Sequence, residues 1–418
     1  MLLADLGADV VKVEPPEGDG TRAWGPPWVG TGRLARDDPG VSAYYLAVNR
    51  NKRSLRLDLK AASGRDVLRR LVGRADVLVE NARVGGFERL GFDDDILAAL
   101  NPQLIHLAIS GYGPTGPDAG KPGYDFVVQA VAGLMSITGF ADGEGGHSTK
   151  VGVAIADVVT GLQGAVAILA ALAGRERDGS PAHGRGQRID VSIFESTLAV
   201  LVNQAHNAFA SGVAPTRRGN AHPNIVPYET FATADGEIAL AVGSERQWLR
   251  FCAALESDAP TTPTTPAALA APTEPTASVA PPEPMAPTAL AADPRFTTNA
   301  DRVAHRDVLR PILAARLAAQ PTATWLARFE AAEVPCGPIN DVATALASPQ
   351  AVAREMVVEV EHPRLGPVRQ VGIPFKLGAT PATIRTAPPL LGEHSDAVLA
   401  DLGYDADAIT RLRAEGVI

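Results

Sequence analysis

One carboxylate is isolated in the sequence. Asp157 is the only ionisable residue between Lys150 and Arg175, in a stretch otherwise built from small and aliphatic residues. The segment 158–173 has the composition of a helix, and Arg175 supplies the positive charge that is favourable near a helix C-terminus. We therefore expect Asp157 at a helix N-terminus, where backbone N–H groups and the helix dipole stabilise an anion.

This pattern allows two roles for Asp157. Aspartate is a preferred N-cap residue, so an ordinary structural role in capping the helix fits the spacing. A carboxylate with apolar neighbours and little water around it can also act as a nucleophile and form an acyl intermediate. The spacing alone leaves both roles open.

The composition excludes several classes of protein. The chain has 418 residues and a formal net charge of −9, which argues against a general nucleic-acid binder. Its two cysteines, Cys252 and Cys336, do not have the spacing of metal ligands, so we expect no metal site and no disulfide framework. We expect the protein to be located in the reducing cytoplasm. No stretch reaches membrane-spanning length without a charge or glycine, so we expect no membrane association.

The elements that must position Asp157 follow a βαβ rhythm. Strands are predicted at 10–14, 75–81, 104–110 and 187–193, with helices between them, which indicates an α/β fold with a parallel sheet. The basic segment 49–60 alternates like an edge strand. Ligands bind beyond the carboxyl ends of such strands, and Asn81 and Gly111 follow two of those ends.

The composition also divides the chain into domains. A turn-rich loop and a hairpin around Asp235-Gly236 indicate a smaller α+β lobe. A low-complexity tract of Pro, Ala and Thr follows and cannot bury a core. The predicted division is a large domain over 1–200, the start of the small domain over 201–256, an insertion over 257–292, the remainder of the small domain over 293–340, and a return to the large domain over 341–418.

Several stretches together resemble one family, the class III CoA-transferases, which also holds α-methylacyl-CoA racemase. They cover nearly the whole chain in the family's order. The stretches are ADLGADVVKVEPPEGDGTR, NRNKRSLRLDLK, ADVLVENARVGGFERLGF, GYGPTGP, GYDFVVQAVAGLMSITG, the Asp157 segment, GRGQRIDVSIFES, GNAHPNIVPY, VPCGPIN and PPLLGEHS.

The resemblance implies a Rossmann-like large domain made from both chain ends, a smaller α+β domain, and an interlocked-ring homodimer. It places Asp157 at the nucleophile position. The implied reaction starts with attack of Asp157 on an acyl-CoA, which gives a mixed anhydride, and continues through an enzyme–CoA thioester to a small carboxylic acid. Backbone N–H groups would stabilise the oxyanions. CoA enters as a substrate, and no tightly bound cofactor is implied.

The resemblance also assigns contacts. The residues implied in CoA binding are Arg22, Leu57, Asp58, Leu59, Lys60, Asn81, Ala82, Arg83, Arg89, Pro122, Gly123, Tyr124 and Asp125. The residues implied in a loop over the substrate are Gly219, Asn220 and His222. For Arg83, Arg89 and His222, the positions alone would favour a solvated charge or a structural histidine.

Two alternatives and a substrate class remain to be weighed. The family's first strand precedes the position of Met1, so we expect an upstream segment, or else a non-catalytic CoA-binding protein. A racemase would pair the aspartate with a histidine where this chain has Tyr124, and a phenol is a poor base at neutral pH. The loop sequences look most like those of family members that use dicarboxylates, with succinyl-CoA as donor. Arg217 and Arg218 are candidates to hold a second carboxylate.

Overall fold

The computed structural model describes residues 1–32, 40–256 and 289–418. It is a mixed α/β structure with parallel strands, which confirms the predicted class. The strands are β1 (Val10–Glu14), β2 (Trp28–Val29), β3 (Val41–Ser42), β4 (Lys52–Arg56), β5 (Val77–Glu80), β6 (Ile105–Ser110), β7 (Gln187–Ser192), β8 (Tyr228–Ala232), β9 (Glu237–Ala241), β10 (Cys336–Pro338), β11 (Val357–His362) and β12 (Gly366–Val371).

Helices separate most of these strands. They are α1 (Leu2–Asp5), α2 (Ala43–Val48), α3 (Ala62–Val72), α4 (Gly86–Arg89), α5 (Asp94–Leu100), α6 (Asp125–Val131), α7 (Ile155–Glu176), α8 (Ile193–Ala199), α9 (Val202–Ser211), α10 (Glu245–Glu256), α11 (Asn299–Ala304), α12 (Arg306–Leu317), α13 (Thr322–Ala331), α14 (Val342–Ala347), α15 (Pro349–Ala353), α16 (Ser395–Asp401) and α17 (Ala406–Ala414).

The chain forms two compact units. Unit 1 comprises residues 1–134, 151–206 and 343–418, and unit 2 comprises 135–150 and 207–342. The sequence-based division placed the whole of 1–200 in the large domain. The structure instead assigns the loop segment 135–150 to unit 2.

Unit 1 contains the parallel strands. The order β5-β6-β7 makes a three-stranded parallel sheet in which Ser110 lies opposite Ser192, so the carboxyl ends of the three strands lie at one edge. A second parallel pair joins β1 to β4. Leu55 of β4 packs with Val398 and Leu399 of α16, so both chain ends contribute to one buried cluster.

The long helix α7 packs against this sheet. Its buried residues recur at helical spacing, and Gly164 lets the backbone approach β6, since a Cβ there would lie 3.0 Å from Leu107 Cδ2. Arg175 fixes the other end through Asp76 (2.8 Å) and the carbonyl of Gln103 (3.0 Å). The sheet and helix together set the position of Asp157.

Unit 2 is an antiparallel sheet, β10-β9-β8, with helices α10 to α13. The predicted hairpin around Asp235-Gly236 is present as β8 and β9. Leu290 and Ala291 are buried in the core of this unit. These two residues, which the predicted division places at the end of the insertion, thus pack with the folded lobe. Residues 257–288 lie outside the described part.

Candidate active site

Asp157 lies in the first turn of α7 but does not cap it. The helix begins at Ile155, so Asp157 is its third residue, and the N-cap position belongs to Ala154, whose side chain makes no capping bond. The interpretation of Asp157 as the N-cap is thus wrong, because Asp157 lies three residues after the N-cap position. Its exposed side chain stands at the positive end of a 22-residue helix.

The capping group comes from a different helix. Asp125, the first residue of α6, accepts a hydrogen bond from the backbone N–H of Ala156 through Oδ1 (2.8 Å). Its Oδ2 accepts from Gln129 Nε2 (2.8 Å), and Gln129 Oε1 accepts from the N–H of Val151 (2.9 Å). Because Asp125 satisfies the helix terminus, the carboxylate of Asp157 is left available.

The environment at the start of α7 makes the carboxylate of Asp157 more basic. Desolvation, and then the negative charge of Asp125, raises the pKa of Asp157 above its ordinary value. Burial, followed by the charges of Asp157 and Asp125, likewise raises the pKa of Tyr44, the second residue of α2. These three side chains therefore share one electrostatic environment, in a pattern typical of functional sites.

A close contact between two loops sets the start of α6. A Cβ on Gly123 would lie 2.4 Å from Gly111 Cα, so only glycine fits where the loop after β6 meets the residues before α6. Pro122 and Tyr124 beside it are exposed, Tyr124 by 68%. The neighbouring Lys121 is ion-paired with Asp118 (2.6 Å).

The turn after β5 presents exposed polar groups at the sheet's carboxyl edge. Asn81, Arg83 and Arg89 are exposed, and Glu80 accepts a hydrogen bond from the N–H of Ala82 (2.6 Å). Within the described residues, the guanidinium groups of Arg83 and Arg89 make no ion pair. They are available to an anion such as a phosphate.

Residues 57–60 form a turn rather than the predicted strand. Strand β4 ends at Arg56. Leu57 is buried in the core, and the side chain of Asp58 accepts from the N–H of Lys60 (2.9 Å), whose own side chain is exposed. Leu59 packs against the same core. The alternation that suggested a longer strand reflects burial of the two leucines.

Arg22 is held tightly by the protein. It donates to both oxygens of Glu14 (2.7 and 2.8 Å) and to the hydroxyl of Tyr45 (2.6 Å), and its guanidinium lies 3.8 Å from the centre of that ring. It also lines a cavity of about 250 Å³ with Arg364 and Leu391. Its predicted phosphate contact stays a prediction.

The predicted substrate loop lies in unit 2. Gly219 adopts a left-handed φ of 61° and donates its N–H to the carbonyl of Gly139 (2.9 Å). Asn220 Nδ2 donates to Thr230 Oγ1 (3.0 Å). The ring of His222 packs on Tyr228, and desolvation, then the charge of Arg306, lowers its pKa.

The two adjacent arginines of that loop differ. Arg217 is ion-paired with Asp142 and donates to Ser148 Oγ (3.0 Å) and to the carbonyl of Phe140 (3.2 Å). Arg218 is exposed and, in the part of the chain that the structure describes, its side chain makes no hydrogen bond or ion pair. Of the two candidates for a second carboxylate, Arg218 has the available charge.

One contributor was missed by reasoning from sequence. Gln129 is fully buried and bridges Asp125 to the segment that enters α7. A polar residue four positions after Asp125 in an otherwise apolar helix was the available signal. Among residues 1–32, 40–256 and 289–418, no cluster of three or more His, Cys, Asp or Glu side chains could hold a metal ion.

Comparisons with known proteins agree on one family. The sequence model of CoA-transferase family III matches residues 1–280 and 261–395. The chain is 41% identical to succinate–glutarate CoA-transferase of Agrobacterium fabrum, over 96% of this chain and 90% of the relative. It is 38% identical to acetyl-CoA:oxalate CoA-transferase of Acetobacter aceti, over 95% and 89%.

A solved structure has a similar fold. The crystal structure of a CAIB/BAIF family protein from Brucella suis superposes with a TM-score of 0.75 at 39% identity, covering 96% of this chain and 93% of the other. The matches extend over nearly the whole length of the chain. The chain belongs to the class III CoA-transferases.

Proposed function

We propose that this protein moves CoA from an acyl-CoA, such as succinyl-CoA, to a dicarboxylic acid, with Asp157 as the nucleophile. The observation that carries the proposal is the position of Asp157. Its carboxylate lies in the first turn of α7, does not cap the helix and has a raised pKa. Relatives named for succinate, glutarate and oxalate support the substrate class.

The proposed reaction exchanges two acyl groups at one carboxylate. Asp157 attacks the thioester carbonyl, the C–S bond breaks, and CoA leaves as a thiolate. The thiolate attacks the aspartyl carbonyl of the mixed anhydride, which releases the donor acid and leaves Asp157 as a CoA thioester. The acceptor carboxylate displaces the thiolate, and the thiolate then takes the acceptor's acyl group and frees Asp157.

Other residues of unit 1 suit these steps. Arg83 and Arg89 offer exposed guanidinium groups for the phosphates of CoA. The backbone N–H of Asp157 has no acceptor among the described residues and is a first-turn donor available to developing negative charge. A racemase is not favoured, because the position beside Asp125 holds Tyr124 and a phenol is a poor general base at neutral pH.

The test is covalent loading. Wild-type protein incubated with succinyl-CoA is expected to gain a CoA-sized adduct in intact-mass spectrometry that maps to Asp157, and to transfer CoA to glutarate. Asp157→Ala is expected to keep its circular dichroism and melting temperature while losing both signals. Full transfer by the Asp157→Ala variant would overturn the nucleophile assignment, and α-proton exchange on a branched acyl-CoA without transfer would favour the racemase.

A further inference from the structure

Two side chains of α6 hold the beginning of α7. Both oxygens of Asp125 accept from protein N–H donors, one on Ala156 of α7 and one on Gln129. Gln129 is fully buried and also fixes Val151, which leads the chain into α7. The first turn of α7 cannot shift against α6 without breaking these bonds.

We propose that Asp125 is the positioning residue of the nucleophile: its carboxylate holds the first turn of α7 from α6 and keeps a fixed negative charge beside Asp157. This rests on the proposed function, which gives Asp157 its role. The family resemblance grouped Asp125 with the CoA contacts. The structure shows its two oxygens already bonded to protein donors.

A fixed like charge has a direct chemical consequence. Protonation and acylation both neutralise Asp157, so both relieve its repulsion with Asp125. The neighbouring charge therefore favours formation of the anhydride while it makes the free carboxylate more basic. Holding the helix turn rigidly also keeps the nucleophile in one orientation toward the thioester.

Asp125 bonds the N–H of Ala156, the residue before Asp157, at 2.8 Å. Among the described residues, Asp125 is the one charged group that contributes to the raised pKa of Asp157, and Tyr44 of α2 is affected by both carboxylates. Asp125→Asn removes the charge, but its side-chain oxygen can still accept from the N–H of Ala156. The variant should therefore lower the pKa of Asp157 and keep the cap.

The first measurement needs no substrate. Carbodiimide coupling of an amine to Asp157 is followed by peptide mass spectrometry across pH, since the protonated carboxyl reacts. As the pH is lowered, the labelling of Asp157 in the Asp125→Asn variant is expected to begin at a lower pH than in the wild type. An unchanged profile would overturn the proposal, whatever the outcome of the loading experiment with succinyl-CoA.

The second measurement is the rate at which the CoA adduct forms. We expect the plateau rate of Asp125→Asn to fall about tenfold or more, because its amide nitrogen cannot accept the hydrogen bond from Gln129 and even a small shift of a reacting group is costly. The acid limb of the rate should move to lower pH. Asp93→Asn, which alters the N-cap of α5, is the control and should change neither. The proposal would be contradicted if the plateau rate and the melting temperature both fell while the acid limb did not move. Asp125 would then be an ordinary structural cap.

Discussion

Arg217 and Arg218 are neighbours of the same type with different environments. Arg217 is largely buried and bonded to three groups, whereas Arg218 is exposed and unpaired within the described residues. A charge already neutralised by Asp142 cannot also hold a substrate carboxylate without losing its partner. Residue type and sequence position could not distinguish the two arginines, but their partners do.

Substitution should separate these two roles. Arg217→Gln is expected to destabilise the protein by about 1–2 kcal/mol, because it removes charge-assisted hydrogen bonds. Arg218→Gln is expected to leave the melting temperature unchanged and to raise the KM for glutarate while sparing kcat for a monocarboxylate acceptor. Each variant is the control for the other, and equal effects of both on KM and on melting would contradict the assignment.

A glycine pair supports the start of α6. The backbone of Gly111 lies where a side chain on Gly123 would be placed, at 2.4 Å. We expect Gly123→Ala to cost about 1–3 kcal/mol by overpacking and to slow adduct formation at Asp157, since Tyr124 and Asp125 follow directly. Gly120→Ala, with nothing within 4 Å of its added Cβ, is the matched control. Urea unfolding of both variants measures the difference; equal stability would show that the loops can separate.

At the scale of elements, strand β6 carries a buried histidine. His106 has no hydrogen-bond partner for either ring nitrogen among the described residues, and the nearest carboxylates, of Asp94 and Glu80, lie 3.6 and 3.8 Å away. Burial, and then the charge of Arg188, lowers the pKa of His106. The neutral ring is therefore the form that the sheet accommodates.

This makes stability depend on pH in a defined direction. The unfolded chain binds a proton on this ring at higher pH than the folded chain, so the stabilisation is fully present above the unfolded pKa, near pH ~6.5, and is lost as pH falls toward the folded value. His106→Leu should show a smaller drop in unfolding free energy from pH 7.5 to 5.5 than the wild type. His147→Leu, at an exposed position, should match the wild type; an equal drop in all three proteins would exclude His106 as the cause.

The sequence predicted the presence of strands and helices better than the residues at which they begin and end. The strands β5, β6 and β7 and the hairpin of unit 2 follow from runs of apolar residues and turn chemistry, which are local properties. The start of α7 could not be predicted, because its cap is supplied by Asp125 from a different helix. The turn at 57–60 and the burial of Leu290 and Ala291 also depend on tertiary packing that a local pattern does not record.

At the scale of the whole molecule, α7 has two apolar faces. One packs on the sheet. The other exposes Val158, Leu162, Val166 and Leu169, which are spaced along one side of the helix. By length and composition alone, α7 could cross a membrane. The chemistry that we propose for Asp157, at the start of this helix, takes place in water, which favours a protein partner for this stripe over lipid.

We therefore expect a second copy of this chain to cover the stripe, in line with the interlocked homodimer implied by the family resemblance. Light scattering after size exclusion should give a dimer for the wild type. Val166→Lys should yield monomer or aggregate with reduced CoA transfer, because a charge buried without a partner is costly. Val352→Lys, at a valine of equal exposure on α15, is the matched control (68% against 66%). A wild-type monomer, or wild-type protein that pellets with lipid vesicles, would show that the stripe has a different occupant.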